Sequence, residues 1–344
     1  TIIILLILAT ISIQSLTNTG LFEKTKEAKE KTHAAEINQA KTLNEYEDEL
    51  NKYVSGTAQT QKLADKVKVG DYVTYTPDAL DSNAVATLKS NLNTYSGKSD
   101  STINSEIKRD DLKWRVLDVQ NGQVRLISEA PTTSKIELYG YNGYNNAVKL
   151  IDDACSTLYT NKKLASKVQN LKIEDITKYM KTQPTLDTAT YSPTNIKYPK
   201  ILEKEEKQTV VNSTTNNKLG ISSQDVFVTG NDTSATSTLK KTYWSQSMNN
   251  IDSFTDSKYY ELFIQNMDTK YNYWVPSRCI NASSDYAGFC VHYVDSGDVT
   301  AHGLCDSNNI ERSDNFALRP CITLDANVQV ASGSGSSESP FNIQ

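Results

Sequence analysis

Cysteine is the residue type in this sequence whose chemistry is easiest to constrain. The chain has five cysteines. A zinc site needs thiolate or histidine pairs separated by about two to four residues, and no two of these cysteines are that close. Disulfides or buried thiols are therefore the expected chemistry. The five positions are Cys155, Cys279, Cys290, Cys305 and Cys321.

Two pairs among them are candidates for disulfides. Cys290 and Cys305 flank a turn predicted at 295–298, so they can meet across the two strands that the turn joins. Cys155, on a predicted helix, can reach Cys279, and the fifth cysteine then has no partner. Disulfides persist in oxidising compartments, so this cysteine usage is consistent with an exported protein.

The histidines and paired aspartates do not indicate a catalytic centre. A nucleophilic cysteine needs an adjacent base, and His33 falls on a predicted N-terminal helix, out of reach of the cysteines. His292 and His302 lie on the two arms of one predicted hairpin and are expected to face each other on a solvated sheet. Asp152 and Asp153 are adjacent on a predicted solvated helix face, so their side chains diverge and form no acid–base pair. We expect no enzymatic activity.

Composition and motifs argue against further classes of function. The net charge of −5 and the lack of a basic block argue against binding of nucleic acid. The sequence has no glycine-rich phosphate loop and no dinucleotide fingerprint, so no cofactor is expected. Trp114, Trp244 and Trp274, together with 19 tyrosines, are candidates for a carbohydrate-stacking surface. Core packing is the alternative explanation for these aromatic residues.

The elements that position these residues divide the sequence into two parts. Residues 1–55 are predicted to form one long helix, because they lack proline and their apolar residues recur every three or four positions. At about 1.5 Å per residue the helix would be roughly 80 Å long and would protrude from a globular body. A break is expected at Thr17, Asn18, Thr19 and Gly20. The large side chains of its N-terminal apolar run are Ile2, Ile3, Ile4, Leu5, Leu6, Ile7, Leu8, Ile11, Ile13 and Leu16.

Residues 56–344 are predicted to form a large β-rich globular head with a few short helices. The clearest local signal is a hairpin at 112–129, whose turn Asn121-Gly122 is the preferred pair for a two-residue type I′ turn. The segment 185–238 is rich in Thr, Asn and Ser and is predicted to form long surface loops. The other predicted elements are helices at 146–161 and 173–181 and strands at 271–278, 286–294, 299–304, 316–324 and 340–343.

The first residues form a pattern that occurs in a known family. IIILLILATISI is followed by NTGLFEKTKEAKEKT, an apolar start, an Asn/Gly break and then a Lys/Glu/Ala-rich segment. Over roughly residues 1–55 this pattern resembles the N-termini of type IV pilins and pseudopilins, in particular those of Gram-positive gut bacteria. The resemblance implies a segment that anchors the subunit in the membrane before assembly and then lies in a filament core. The acidic residue usual near the start of that family has no counterpart, because Thr1 lies inside the hydrophobic run.

The remaining sequence carries a second, looser resemblance. The blocks KVGDYVTYTP, WRVLDVQNGQVRLISEAPT, GYNNAV, ACSTLY, WVPSRC, FALRPCITL and GSGSSESPFNI occur in the order found in an extracellular domain that often follows such helices. The last blocks are similar to domains related to C-type lectins and to the formylglycine-generating-enzyme fold. The acidic and asparagine residues that hold calcium in sugar-binding lectins have no counterpart here, so the resemblance implies neither calcium nor a sugar.

These observations predict an α+β protein with a long protruding N-terminal helix, residues 1–55, and an extracellular β-rich head, residues 56–344. The predicted function is that of a pilin, a structural subunit of a type IV pilus-like filament at the cell surface. Its expected partners are copies of itself and, before assembly, the inner membrane. The alternative is a membrane-anchored or pilus-displayed adhesin whose head binds carbohydrate or a host surface. Neither function requires a metal, a cofactor or nucleic acid.

Overall fold

A computed structural model of the protein describes most of the chain from residue 61 onward. The described ranges are 61–191, 198–200, 225–232, 239–248, 250–265, 272–295 and 297–344. Before residue 61 eight positions are described, all helical and exposed: Lys31, Thr32, Ala35, Gln39, Thr42, Leu43, Tyr46 and Glu47. The chain divides into two compact units, one made of residues 1–60 and 332–334 and one made of residues 61–331 and 335–344.

The predicted α+β fold with a long protruding N-terminal helix is wrong. Strands account for 35% of the structure and helices for 26%, and the five α-helices of the described residues are short, from 4 to 20 residues. No long protruding N-terminal helix belongs to the described part, and residues 1–55 lie outside it apart from the eight positions above. Apolar spacing is a local signal, whereas fold class depends on the elements that enclose the core, here two sheets.

The larger sheet has eight strands and contains both ends of the described body. Strands are numbered in chain order, and the spatial order is β1, β17, β18, β2, β3, β4, β16, β6. The parallel pairing of β18 with β2 brings the C-terminal strand beside one of the first strands. The bounds are β1 Gln61–Lys62, β2 Tyr72–Thr74, β3 Trp114–Gln120, β4 Gln123–Ser128, β6 Ala165–Asn170, β16 Pro320–Leu324, β17 Gln329–Ser332 and β18 Phe341–Ile343.

The smaller sheet has six strands in the order β11, β14, β13, β12, β15, β5. Its centre is an antiparallel meander of three long strands, β12 to β14, and β15 joins β12 in parallel at a single pair. Two ribbons, β7 with β10 and β8 with β9, lie outside both sheets. The bounds are β5 Lys135–Tyr139, β7 Thr190–Tyr191, β8 Tyr198–Pro199, β9 Asn231–Asp232, β10 Leu239–Lys240, β11 Gln246–Ser247, β12 Tyr273–Ala282, β13 Ala287–Asp295, β14 Asp298–Asp306 and β15 Ser313–Ala317.

Five α-helices connect these strands in the described residues. They are α1 Ser82–Tyr95, α2 Thr102–Ser105, α3 Gly140–Tyr159, α4 Ile173–Thr177 and α5 Ser257–Tyr260. The helix predicted at 146–161 is present as α3, which begins six residues earlier. It starts there because the Glu311 carboxylate accepts a hydrogen bond from Tyr141 N at 3.0 Å and so satisfies a free amide of the first turn. The second predicted helix, at 173–181, is present as the shorter α4.

The strongest turn prediction is confirmed. β3 and β4 pair antiparallel up to Gln120 opposite Gln123, which leaves a two-residue turn. Its residues Asn121 and Gly122 have φ values of 52° and 76°, as a type I′ turn requires. The turn predicted at 295–298 is also present, because Asp295 lies opposite Asp298 at the end of the β13–β14 ladder. Of the predicted loop segment 185–238, the structure describes residues 185–191, 198–200 and 225–232, which include short strands.

Two apolar clusters, each containing side chains of both sheets, form the core. The first surrounds α3, and its buried members include Leu150, Ile151 and Ala154 of the helix, Trp114 and Leu126 of the larger sheet, and Trp274 and Phe289 of the smaller sheet. The second lies around α4, α5 and the segment that follows α5, and includes Ile176, Phe254, Phe263, Ile127 and Val275. The core of the described body is therefore shared between the two sheets and the helices.

Candidate functional site

An irregularity in the pairing of β12 with β13 determines which side chains of the smaller sheet come together. The register of the two strands shifts between Trp274 and Arg278. Such a bulge interrupts the ladder and redirects neighbouring side chains. Pairing resumes with Arg278 opposite Val291, and the next pair is Cys279 opposite Cys290. Two cysteines thus occupy directly opposed positions on neighbouring strands.

Both thiols of this pair are buried. Cys279 is fully inaccessible and Cys290 is 5% exposed, and the Cys279 side chain is hydrogen-bonded to that of Cys290. Burial, followed by this hydrogen bond, raises the pKa of the Cys279 thiol well above its ordinary value. A thiol needs its thiolate form to act as a nucleophile, so this environment does not prepare a catalytic cysteine.

The candidate pairing of Cys290 with Cys305 required the two residues to lie opposite each other, and they do not. The cross-strand partner of Cys305 on β13 is Phe289, and the partner of Cys290 on β14 is Gly303. Counting residues from the turn already places Gly303 opposite Cys290, and the two strands change register only beyond that pair, between Cys290 and Phe289. All the cysteines are free, buried thiols in the structure.

Cys155 and Cys279 are also not a facing pair. Cys155 lies on α3, where its Sγ is 3.6 Å from Asn170 Oδ1. Cys321 lies on β16 opposite Ile127 of β4. Burial is the main reason that the pKa values of the Cys155 and Cys321 thiols are raised.

His292 is a buried, neutral side chain. Its Nδ1 lies 2.9 Å from the carbonyl oxygen of Ser277, and because a carbonyl only accepts, Nδ1 carries the proton and donates it. Its ring centroid is 5.3 Å from that of Trp244, and among the described residues Nε2 has no hydrogen-bond partner. Burial lowers the pKa of His292 to about 4, against the effect of the Ser277 hydrogen bond.

The two hairpin histidines do not face each other. His292 pairs with Ala301 across the β13–β14 ladder, whereas His302 pairs with Val291. Directly opposed residues share a face and consecutive residues alternate, so the two imidazoles lie on opposite faces of the sheet. His302 is a third exposed, and its Nδ1 lies 2.8 Å from Asp314 Oδ2.

Ser277, which binds His292 through its backbone, uses its hydroxyl elsewhere. Ser277 Oγ donates a hydrogen bond to Glu174 Oε2 at 3.1 Å and accepts one from Ile173 N at 3.4 Å. Burial raises the pKa of the Glu174 carboxyl group. A serine nucleophile needs its hydroxyl on the imidazole, and here the hydroxyl bonds to the carboxylate. The contact joins α4 to β12 and is structural.

The tryptophans proposed for carbohydrate stacking are buried. Trp114, Trp244 and Trp274 are between 0% and 6% exposed. Trp274 donates its indole N–H to Ile136 O at 3.0 Å. A sugar ring stacks only on an accessible aromatic face, so these three side chains serve the core, as the alternative explanation held. A glycan-binding role for the head would have to use other residues.

The two adjacent aspartates of α3 are not free on a solvated helix face. Asp152 forms an ion pair with Lys172 Nζ at 2.6 Å and accepts a hydrogen bond from Asn170 N at 3.0 Å. Asp153 pairs with Lys149 at 2.9 Å, one turn earlier on the helix. Asp152 therefore fixes the connection between β6 and α4, and the two carboxylates point to separate partners.

The predicted filament-contact residues and helix break lie outside the described residues. These are Ile2, Ile3, Ile4, Leu5, Leu6, Ile7, Leu8, Ile11, Ile13 and Leu16, and Thr17, Asn18, Thr19 and Gly20. Across the ranges that the structure describes, no helix has both the length and the apolar character needed to cross a membrane. The same ranges contain no group of three or more His, Cys, Asp or Glu side chains arranged to hold a metal ion.

The geometry defines a mainly β body in which the candidate chemical groups are engaged in structural contacts. The imidazole of His292 and the thiol pair are buried inside it, and Glu174 is hydrogen-bonded to the buried Ser277. No protein-family model, curated protein or solved structure matches the chain. The sequence predicts a strand that ends at Arg278, immediately before Cys279. The strand continues to Ala282, which brings Cys279 into the ladder.

Proposed function

We propose that this chain is a pilin, a structural subunit of an extracellular type IV pilus-like filament. The observation that carries the proposal is the N-terminal apolar run, which places ten large aliphatic side chains within residues 2–16. Each such side chain left in water forgoes roughly 1.5–3 kcal/mol of burial free energy. The run therefore has to be covered by lipid or protein.

The described body has a core of its own. Among the described residues, the buried members of its two apolar clusters fall between Leu63 and Phe341 and combine side chains of both sheets and α3. Copies of the chain can supply the missing cover, since packing the runs of many subunits together removes all of them from water. The bodies would then be displayed on the outside of the filament.

The buried polar groups favour a structural role over catalysis. His292 binds a backbone carbonyl, and Ser277 binds Glu174. Neither arrangement offers a nucleophile next to a base, which is the minimum for covalent catalysis. These contacts instead join α4, β12 and β13 into one unit.

Before assembly, the apolar run needs a different cover. Membrane lipid is as apolar as the side chains of the run and would hold the newly made subunit at the membrane, with the body outside. Assembly would then exchange lipid contacts for contacts with other copies. The resemblance of residues 1–55 to pilin N-termini is consistent with this sequence of events.

The experiment compares the full chain with Leu5→Asp and Leu5→Met. Each is purified in detergent, the detergent is removed, and the products are imaged by electron cryo-microscopy and sized by sedimentation. We expect wild type and Leu5→Met to form filaments. Leu5→Asp should not assemble, because a carboxylate within an apolar bundle carries a large desolvation penalty.

Two results would overturn the proposal. One is a wild-type chain that stays monomeric and soluble after detergent removal. The other is a chain that enters lipid vesicles as a monomer and never polymerises under conditions where Leu5→Asp leaves the membrane. The second result would establish a membrane-anchored surface protein, which is the arrangement expected for a displayed adhesin.

A further inference from the structure

We propose that Cys279 and Cys290 are joined in the mature protein by a disulfide that fixes the β12–β13 hairpin, while the other three cysteines stay as thiols. The inference rests on the geometry of the smaller sheet. It does not depend on the proposed filament. It assigns a covalent modification site to two residues that the sequence suggested pairing with other partners.

The register supplies the first argument. Cys279 and Cys290 are direct cross-strand partners. Directly opposed residues of an antiparallel pair have Cβ atoms about 4.5–5.5 Å apart, and a disulfide needs about 3.5–4.5 Å. The two thiols already contact each other through a hydrogen bond. For the bond to form, the two strands have to approach each other by about 1 Å at this pair.

Packing on the β14 side of Cys290 leaves space next to its sulfur. The partner of Cys290 on its other side is Gly303, which has no side chain. A Cβ built at Gly303 would lie 3.7 Å from Cys290 Sγ, at ordinary contact distance. The Cys290 sulfur therefore has room toward β14 and can rotate without a clash there.

The position of the pair gives the bond a structural purpose. The β12–β13 ladder changes register between Trp274 and Arg278, immediately before Cys279. The β13–β14 ladder changes register between Phe289 and Cys290. A slip of one residue would move each following side chain to the other face of the sheet. A covalent link between Cys279 and Cys290 fixes the register of the β12–β13 ladder where its pairing resumes after the irregularity.

The other cysteines have neighbours that do not support a disulfide. Cys305 is opposite Phe289, and Cys321 is opposite Ile127. Cys155 contacts the side-chain oxygen of Asn170. Cys279 and Cys290, by contrast, occupy directly opposed positions on neighbouring strands.

The bond forms by thiol–disulfide exchange with a protein or low-molecular-weight disulfide as oxidant. The thiolate of one cysteine attacks a sulfur of that disulfide, which forms a mixed disulfide and releases one thiol of the oxidant. The thiolate of the second cysteine then attacks the sulfur of the first and releases the other thiol. Two cysteine thiols become one disulfide and one disulfide becomes two thiols, so protons and electrons balance. Exchange precedes burial of the hairpin, because both side chains are inaccessible afterwards.

The test is a map of disulfides in the full chain, folded with an oxidised and reduced glutathione couple and kept in detergent. The protein is unfolded in guanidinium with N-ethylmaleimide and its mass is measured. We expect three labels on a chain with five cysteines. Residues 279–312 contain no Lys or Arg before Arg312, so trypsin leaves three cysteines in one peptide. Cleavage before aspartate separates them, at Asp285, Asp295 and Asp298.

The expected product is one cross-linked pair of peptides containing Cys279 and Cys290. Cys305→Ser is the matched control, because it removes a buried cysteine of the neighbouring strand, and it should yield the same cross-link with two labels. Cys279→Ser should yield four labels and no cross-link. Five labels on the folded wild-type chain would overturn the proposal, as would a cross-link joining Cys290 to Cys305 or Cys155 to Cys279. The wild-type map decides the question even if a variant fails to fold.

Discussion

Arg125 donates two hydrogen bonds to the carboxylate of Asp118 across the β3–β4 hairpin. Its Nε and Nη2 atoms each lie 2.7 Å from one of the two carboxylate oxygens, and its Nη1 lies 2.6 Å from Asp175 Oδ1. Asp118 also accepts hydrogen bonds from Tyr179 and Gln120. The guanidinium thus holds the hairpin and α4 together, with both pairs mostly shielded from water.

Removing the Asp118 charge should destabilise the protein in a pH-dependent way. Burial alone would raise the pKa of Asp118, but the hydrogen bonds from Arg125, Tyr179 and Gln120 outweigh it and lower the pKa to about 2. The ionised Asp118 carboxylate therefore contributes fully to the free energy of unfolding at pH values above its pKa in the unfolded chain, about 3.9. This contribution is lost as the pH falls toward 2. Asp118→Asn should lower the free energy of unfolding by about 3 kcal/mol at neutral pH. Urea denaturation measures this loss.

The pH dependence separates that explanation from a packing defect. The difference between wild type and Asp118→Asn should shrink as the pH falls from about 4 to about 2. Asp252→Asn is the control, because its ion pair with Lys181 at 3.5 Å is exposed, and it should change the free energy by less than about 0.5 kcal/mol. A loss for Asp118→Asn that is the same at both ends of this pH range would contradict the electrostatic account.

His292 should make the protein less stable in mild acid. Its folded pKa of about 4 lies below the unfolded value of about 6.5. Between these values the unfolded chain binds a proton that the folded chain does not, so stability falls as the pH falls. The full effect is about 3 kcal/mol at about 1.4 kcal/mol per pKa unit. His292→Gln should remove this decline between about pH 6.5 and pH 4, as measured by urea denaturation.

His302→Gln is the matched control for that experiment. His302 is on the adjacent strand but on the other face of the sheet, and its side chain is a third exposed. The His302→Gln variant should therefore show the same loss of stability between about pH 6.5 and pH 4 as the wild type. If His292→Gln keeps the wild-type slope throughout this range, the imidazole does not titrate as its burial requires.

Gly97 should not tolerate a side chain. It follows α1 with φ of +85°, and an added Cβ would lie 1.9 Å from the carbonyl oxygen of Tyr139. Both the left-handed conformation and the backbone clash oppose Gly97→Ala, so we expect a loss of about 3 kcal/mol or more. Gly122→Ala isolates the first effect, because Gly122 has φ of +76° and no atom within 4 Å of such a Cβ. It should cost about 1–2 kcal/mol.

Thermal unfolding of the two glycine variants measures the difference. Gly97→Ala should melt well below Gly122→Ala, since only the former displaces the start of α3 from the end of α1. Similar melting temperatures would mean that the close approach of these two segments is not maintained in solution.

A chain that begins at Thr57 should fold and remain monomeric. The body from residue 61 onward, apart from residues 332–334, is one compact unit, and its first strand, β1, pairs with β17 inside that unit. Circular dichroism should show a cooperative transition, and sedimentation should show a single monomeric species without detergent. Gross aggregation of the shortened chain would mean that the first 56 residues cover apolar surface of the body.

Elements defined by local chemistry could be predicted from the sequence. The turn at Asn121-Gly122 follows from the need for positive φ at both positions. The helix that became α3 follows from its apolar spacing, although its start depends on Glu311, 170 residues later. Signals of this kind act within a few residues, so no neighbour elsewhere in the chain is needed to interpret them.

Partnerships between distant elements could not be predicted. The hairpin turn at 295–298 suggested that Cys290 meets Cys305, but the ladder that leads from this turn places Gly303 opposite Cys290. The three tryptophans are compatible with a binding surface or a core, and only the enclosure by two sheets shows that they are buried. The fold class was wrong for the same reason, because a periodic N-terminal segment does not reveal how many strands enclose the core.

The sequence by itself determined the turns, the approximate position of α3 and the presence of an apolar run that water cannot solvate. These depend on backbone preferences and on composition over a few residues. Only the tertiary structure decided that Cys279 lies opposite Cys290, that His292 is neutral and that the Ser277 hydroxyl donates a hydrogen bond to Glu174. Each of those properties depends on strand register and on burial, and both are set by contacts between residues far apart in the chain.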